Sequence, residues 1–205
     1  ELAQLDAATL QAAGFDSIFA YNGLRFLDHA IGHFFGMARA APYFANTVFV
    51  LYGDHGNPAA SQIPWERLGL TSYHVPMLII APAGIAAGQR NTAVASLVDL
   101  LPTALGVMRV AHLNKTLGRD LLAERPEAHR FALVPDGVLT DEFFLRVSPG
   151  GGAHLYAYRS NDPVADLRER LPDTVKELQR LREGLYQLSL YLLHHNAPQP
   201  HAPPQ

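Results

Sequence analysis

One short stretch, Asn46 to Gly56 with the sequence NTVFVLYGDHG, restricts the fold more than any other part of the chain. Thr47 to Leu51 is a β-branched and aromatic run. It is too short for a helix and too uniformly apolar for a half-exposed strand, so it predicts a central strand buried on both faces. Gly53 ends the run, and Asp54 and His55 then stand side by side before Gly56 and the Asn57-Pro58 turn. In an open α/β sheet, ligands bind just beyond the carboxyl ends of the strands, where this pair projects. An Asp oxygen beside a His nitrogen suits Zn²⁺ or Mn²⁺, and glycine on either side lets the backbone approach an ion or substrate closely. Asp54 and His55 are the candidate metal ligands.

Upstream, Leu24, Leu27, Ile31, Phe34 or Phe35 and Ala38 recur at intervals of three and four, which predicts a helix over Phe19 to Ala40 with one buried face. Glu1 to Ala13 reads as a shorter amphipathic helix or a remnant of something longer, ended by Gly14. His29 and His33 share a face of the long helix, the spacing of a helical metal pair, but no Glu or third ligand accompanies them and they read as solvated. Downstream, Asn57 to Ser72 is a long connection rich in turn formers, of the kind that is usually functional. It holds the sole tryptophan, Trp65, which either lines a substrate pocket or plugs the loop onto the body. His74 to Pro82 predicts a second strand beside the first, and because the loop leads there directly from Asp54 and His55, His74 joins Trp65 as a candidate substrate-binding residue.

The stripe of Val94, Leu97, Val98, Leu101, Leu105 and Met108 predicts a helix that Pro102 splits into two short segments, with Asp99 structural. Leu117 to Leu122 reads as a turn and short apolar anchor. Arg130 to Val134, Glu142 to Val147 and Leu155 to Tyr158 predict three strands joined by hairpin punctuation. The glycines 150 to 152 fall between two strands, so they read as a hairpin loop rather than a phosphate cradle, which needs a strand leading into a helix. Asp173 to His195 predicts a long amphipathic helix with Asp173 as N-cap. Its leucine stripe suits the small sheet, a dimer seam or a membrane surface, though basic residues are too few on its second half for the membrane. The Pro and His rich tail, 197 to 205, reads as disordered.

With 205 residues, 48% of them hydrophobic and a net charge of -3, the chain can bury a sizeable core. No basic stripe points to nucleic acid. Val75 to Ala87 is the longest apolar stretch and is too short and interrupted to cross a bilayer, which needs about 20 apolar residues. No signal peptide is present, but the chain opens on Glu1 rather than Met, so this decides nothing. The absence of cysteine excludes thiolate metal sites and a cysteine nucleophile.

The ordered blocks YNGLRFLDHAIGHFF, NTVFVLYGDHG, YHVPMLIIAPAG, SLVDLLPTALGV and LGRDLL, from about Phe19 to Leu122, resemble the carboxyl-terminal half of the sulfatase domain of the alkaline phosphatase superfamily. Later, LYAYRSNDPVAD looks like the family's closing subdomain. Asp-His at the strand end, where arylsulfatases more often carry Asp-Asn, is similar to the lipoteichoic acid synthase and phosphoglycerol transferase branch.

The resemblance implies an α/β fold: part of a mostly parallel sheet flanked by helices over 1–125, then a small antiparallel subdomain with the long C-terminal helix over 126–196. It implies metal-dependent attack on a phosphate or sulfate ester, lipid- or glycan-linked. Asp54 and His55 would hold the ion, Mn²⁺ or Zn²⁺ ahead of Ca²⁺ or Mg²⁺, which activates a hydroxyl or formylglycine nucleophile. The family's nucleophile and first acidic ligand sit on earlier strand ends, and no Thr, Ser or acid before Asn46 has that setting; Asp16 and Ser17 precede a helix instead. The expectation is a half domain without its nucleophile, from a protein anchored by upstream helices on the outer face of a bacterial inner membrane. The other class in view is a non-catalytic regulator or lipid-binding relative.

Overall fold

The computed structural model describes residues 2–56, 64–85, 87–123 and 130–196, so the predicted tail lies outside the described residues. Contacts divide the chain into two units, Glu1–Gln89 and Arg90–Gln205. The division falls before the SLVDLLPTALGV block rather than near 125. That block is tied into the second unit: Arg119 Nη2 donates to Asp99 Oδ2 at 2.9 Å and to the Phe131 carbonyl at 2.7 Å, and the Val94 N–H donates to Asp141 Oδ1 at 2.9 Å.

In the first unit, α1 (Ala7–Ala12) opens at Asp6, whose carboxylate accepts the Thr9 N–H, and Gly14 follows it at φ 80°. The longer α2 (Ile18–Arg39) opens at Ser17, which accepts the Ala20 N–H, as the helical period requires. Phe35 and Ala38 are its buried residues. Phe34, Phe35 and Phe44 converge on Phe49, with centroids 6.0, 5.2 and 5.5 Å away, and seat the last turns of α2 on the start of β1 (Phe49–Tyr52). Such ring pairs add about 0.5–1.5 kcal/mol each beyond burial.

Strand β1 pairs antiparallel with β2 (Met77–Ile80), Phe49 opposite Ile80 and Tyr52 opposite Met77. The two are neighbours as expected, but they run antiparallel, and a mostly parallel sheet is not seen among the described residues. A parallel partner needs a crossover, usually a helix. Between these strands the described residues hold only 3₁₀ turns, Pro64–Leu68 and Leu70–Ser72, which return the chain for antiparallel pairing. Nor is β1 buried on both faces: Phe49 to Leu51 are half-buried, and Tyr52 is 53% exposed.

In the second unit a 3₁₀ turn, Leu97–Asp99, runs straight into α3 (Leu100–Val107). Pro102 does not split it. It is the third residue of α3, where the N–H it lacks has no acceptor within that helix. Asp99 is fully buried; its carboxylate accepts from Ser96 N–H, Arg119 N–H and the Arg119 guanidinium, and Thr103 Oγ donates to its carbonyl at 2.6 Å.

A meander β3 (Phe131–Val134), β4 (Gly137–Thr140), β5 (Phe144–Val147), β6 (Ala153–Tyr156) comes next, each strand antiparallel to its successor. The glycine triplet makes the β5–β6 hairpin loop, closed by Ser148 N–H to the Gly152 carbonyl at 2.8 Å with Gly151 at φ 83°. Helix α4 (Pro172–His195) packs on this sheet, with Leu178 and Leu185 against the fully buried Val138, Leu145 and Leu155. Pro172 is its first residue and Leu171 its N-cap, so Asp173 lies in the first turn and is not the cap. There its charge still favours the positive helix end.

Candidate metal and ester site

Beyond β1 the backbone leaves the sheet over Gly53 to Gly56 and is held at both ends. Gly53 N–H donates to the Pro76 carbonyl at 3.2 Å, and Gly56 N–H donates to the Ser72 carbonyl at 2.8 Å. Between these anchors Asp54 and His55 project outward, with side chains 89% and 79% exposed. His55 N–H donates to Asp54 Oδ1 at 3.0 Å, which turns the carboxylate toward the imidazole. His55 Nδ1 lies 2.9 Å from the Gly56 carbonyl, and Nε2 lies 3.9 Å from Asp54 Oδ1. Because a carbonyl only accepts, the paired nitrogen is the one carrying hydrogen, and Nε2 keeps its lone pair on the Asp54 side. The Gly56 carbonyl first, then the Asp54 carboxylate, raises the His55 pKa above the ordinary histidine value.

These residues fit a divalent ion as two of its ligands. An ion about 2.0–2.2 Å from each donor puts tetrahedral donors about 3.4 Å apart, so the observed 3.9 Å separation must close by about half an ångström to hold one, a movement open to two exposed side chains. A backbone carbonyl holding the second ring nitrogen is the usual support of a metal-bound histidine. The pair does not complete a site. Among the described residues no group of three or more His, Asp or Glu is placed to hold an ion.

His74 is brought next to this loop: its N–H donates to the Leu70 carbonyl at 3.0 Å, and it is exposed. Trp65 has its backbone in the Pro64–Leu68 turn, while its side chain lies outside the described residues. His29 and His33 share a face of α2, ring centroids 6.5 Å apart, both exposed and with no third ligand grouped beside them among the described residues. Sequence reasoning missed the Ser72 and Pro76 carbonyls that anchor the loop. Backbone acceptors carry no residue-type signal, and only the contact itself reveals them.

The sulfatase family model matches residues 20–110. Arylsulfatase K of Gallus gallus is 31% identical over 97 residues, 46% of this chain and 18% of that protein. The ulvan-active sulfatase of Formosa agariphila is 28% identical over 178 residues, 79% of this chain and 28% of that protein. Two solved structures share the fold. A protein of the alkaline phosphatase superfamily from Vibrio parahaemolyticus superposes with TM-score 0.58 at 23% identity over 81% of this chain and 41% of its own. A protein solved with its substrate D-glucosamine-2-N,6-O-disulfate superposes with TM-score 0.60 at 18% identity over 82% and 40%. The sulfatase family model thus matches part of the chain, and the solved structures share its α/β fold. The chain spans less than a third of the length of the two curated relatives.

Proposed function

We propose that this chain supplies the ion-binding strand end of a hydrolase that cleaves sulfate esters on a sugar, with Asp54 and His55 as two ligands of a divalent ion, Zn²⁺ or Mn²⁺. One observation carries the reading: an Asp oxygen and a lone-pair His nitrogen stand 3.9 Å apart on an anchored loop, inside the segment that the sulfatase family model matches. The neighbour bound to a disulfated glucosamine supports a sulfated sugar as substrate class. When bound, such an ion polarises an ester oxygen and lowers the pKa of an attacking hydroxyl. In this chain Asp54 contributes the negative charge and His55 the neutral nitrogen, while His74 and Trp65 are assigned to the sugar side. The attacking group is assigned to a part of the protein outside these residues.

A second reading rests on His55 itself. Asp-His in place of Asp-Asn favours phosphoglycerol transfer with Mn²⁺ by a membrane-anchored, envelope-facing protein.

Calorimetry with Zn²⁺ and Mn²⁺ tests the ion site. Weak binding lost in Asp54→Ala with His55→Ala is expected; tight binding that survives both substitutions places the ligands elsewhere. The 205-residue chain alone is expected to turn over neither a chromogenic sulfate ester nor a phosphate ester, because this reading assigns the group that forms the covalent intermediate to another part of the protein. Turnover abolished by Asp54→Ala would end the half-domain reading. Joined to an amino-terminal sulfatase half, preference for the sulfate ester supports the first reading, and preference for a phosphoglycerol donor the second.

A further inference from the structure

Gly56 is glycine for a reason other than backbone freedom. The positive-φ glycines among the described residues are Gly14, Gly69, Gly88 and Gly151, so Gly56 sits in a conformation open to any residue. What excludes a side chain is space. A Cβ at 56 would run into the Thr71 carbonyl oxygen and come within 2.8 Å of the His74 carbonyl oxygen. Both are backbone atoms of a turn held by its own hydrogen bonds, with Tyr73 N–H and His74 N–H donating to the Leu70 carbonyl at 3.0 Å and with Leu70 and Thr71 buried. The opposite end of the loop is less crowded, since a Cβ at Gly53 would meet Val75 Cβ at 3.0 Å and no backbone oxygen nearer than 3.5 Å.

The same residue faces the ion site with its other group. Its N–H is spent on Ser72, and its carbonyl receives the His55 ring at 2.9 Å. We propose that Gly56 is a positioning residue for the metal site, seated on the 70–74 turn through its missing side chain. The seat fixes the Gly56 carbonyl, the carbonyl fixes the His55 Nδ1–H tautomer, and Nε2 is left with its lone pair toward Asp54. The proposal rests on the reading of Asp54 and His55 as ion ligands, yet its geometric part is measurable without any ion. It extends the support of the ligand from the loop to the neighbouring 70–74 turn.

The experiment is ¹⁵N-resolved NMR of the histidine rings in the metal-free chain, at a pH where they are neutral, followed by Zn²⁺ titration. In the wild type His55 is expected in the Nδ1–H form, with a Gly56 amide that exchanges slowly although the side chains around it are exposed. Gly56→Ala is expected to mix the tautomers and to lower Zn²⁺ affinity by about 10- to 100-fold, the usual effect of losing a ligand's support. His154, whose Nδ1 lies 2.9 Å from Asp166 Oδ2 in the other unit, serves as the internal reference for folding of that unit. Gly53→Ala, whose methyl meets Val75 Cβ at 3.0 Å and comes no nearer than 3.5 Å to a backbone oxygen, is expected to keep the wild-type tautomer and serves as the control for a nearby methyl. A wild-type His55 in the Nε2–H form, or a fast-exchanging Gly56 amide, overturns the proposal without recourse to any variant. So does a Gly56→Ala chain with unchanged tautomer and affinity. If the tautomer shifts as expected but Zn²⁺ leaves Nε2 undisturbed in the wild type, the seat is supported and the ion reading above is what fails.

Discussion

The two units bury their apolar surface to very different degrees. In 90–205 the sheet and α4 close on each other: Val138, Phe144, Leu145 and Leu155 are fully buried, and the buried carboxylate of Asp99 is answered by two backbone N–H groups and a guanidinium. In 1–89 the long helix is as regular and its stripe as clear, yet Leu24 and Leu27 stay 54% and 53% exposed, and Phe19 and Phe26 more so. A helix apolar on more than one face is normally enclosed. The contrast teaches that periodicity reports a helix's need for a partner surface, and that only packing reports whether the need is met. A unit that answers its own stripe gains stability from the leucines it buries; a unit that does not presents that stripe to whatever else it meets.

The largest expected effects lie in the second unit. Arg119→Ala leaves the Asp99 carboxylate buried without its guanidinium, and removal of one partner from such a pair costs about 3–5 kcal/mol. Leu145→Ala, at a position with no exposure, is expected to cost about 2–5 kcal/mol through lost burial and the remaining cavity. Leu27→Ala in the first unit is expected to change stability by less than about 0.5 kcal/mol. Urea unfolding of the three variants decides it, and a Leu27→Ala cost equal to that of Leu145→Ala would erase the contrast.

A middle-sized effect concerns the exposed stripe. Contiguous apolar patches on a protein surface mark association sites. The purified chain is expected to bind a hydrophobic dye and to self-associate, and Leu24→Ser with Leu27→Ser to reduce both. A monomer that binds no dye would mean the stripe is covered in solution.

The sequence carried the helices because period and caps are local: Ser17 opens α2 where the apolar repeat begins, and Pro172 marks the start of α4. It also carried the place of Asp54 and His55, since a strand ending in glycine and two donors is a local pattern. The direction of β2 was not legible. Apolar runs such as Met77 to Ile80 pair equally well either way, and the connection that decides it spans more than twenty residues. Strand β4 was missed because Gly137 to Thr140 is so short and opens on a residue that reads as turn; in the structure a Cβ at Gly137 would collide with the Leu145 carbonyl of the neighbouring strand. Asp99 reads as structural, and it is the N3 partner of the Ser96 capping box, but Arg119 stands twenty residues away with no spacing rule to join them.

The smallest expected effect also belongs to the closed unit, at the edge of its sheet. Asp166 Oδ2 lies 2.9 Å from His154 Nδ1 on β6, and Oδ1 accepts the Leu155 and Arg168 N–H groups at 3.2 and 3.1 Å. Partial burial pushes its pKa up, but the hydrogen bonds from His154, Arg168 and Leu155, with the Arg168 charge, outweigh it, and the carboxyl titrates below its ordinary 3.8. A carboxyl whose folded pKa is depressed stabilises the fold above the unfolded pKa and loses that contribution as pH falls through the folded one. Asp166→Asn is therefore expected to cost about 1 kcal/mol at neutral pH, the worth of a hydrogen bond or two at a half-exposed site. The gap to wild type should shrink only once the pH drops below 3.8. Thermal melts of both proteins from about pH 7 down to about pH 2, a range that spans the ordinary carboxyl and histidine pKa values, measure it. A constant gap across that range would show that the aspartate acts through shape and not through charge.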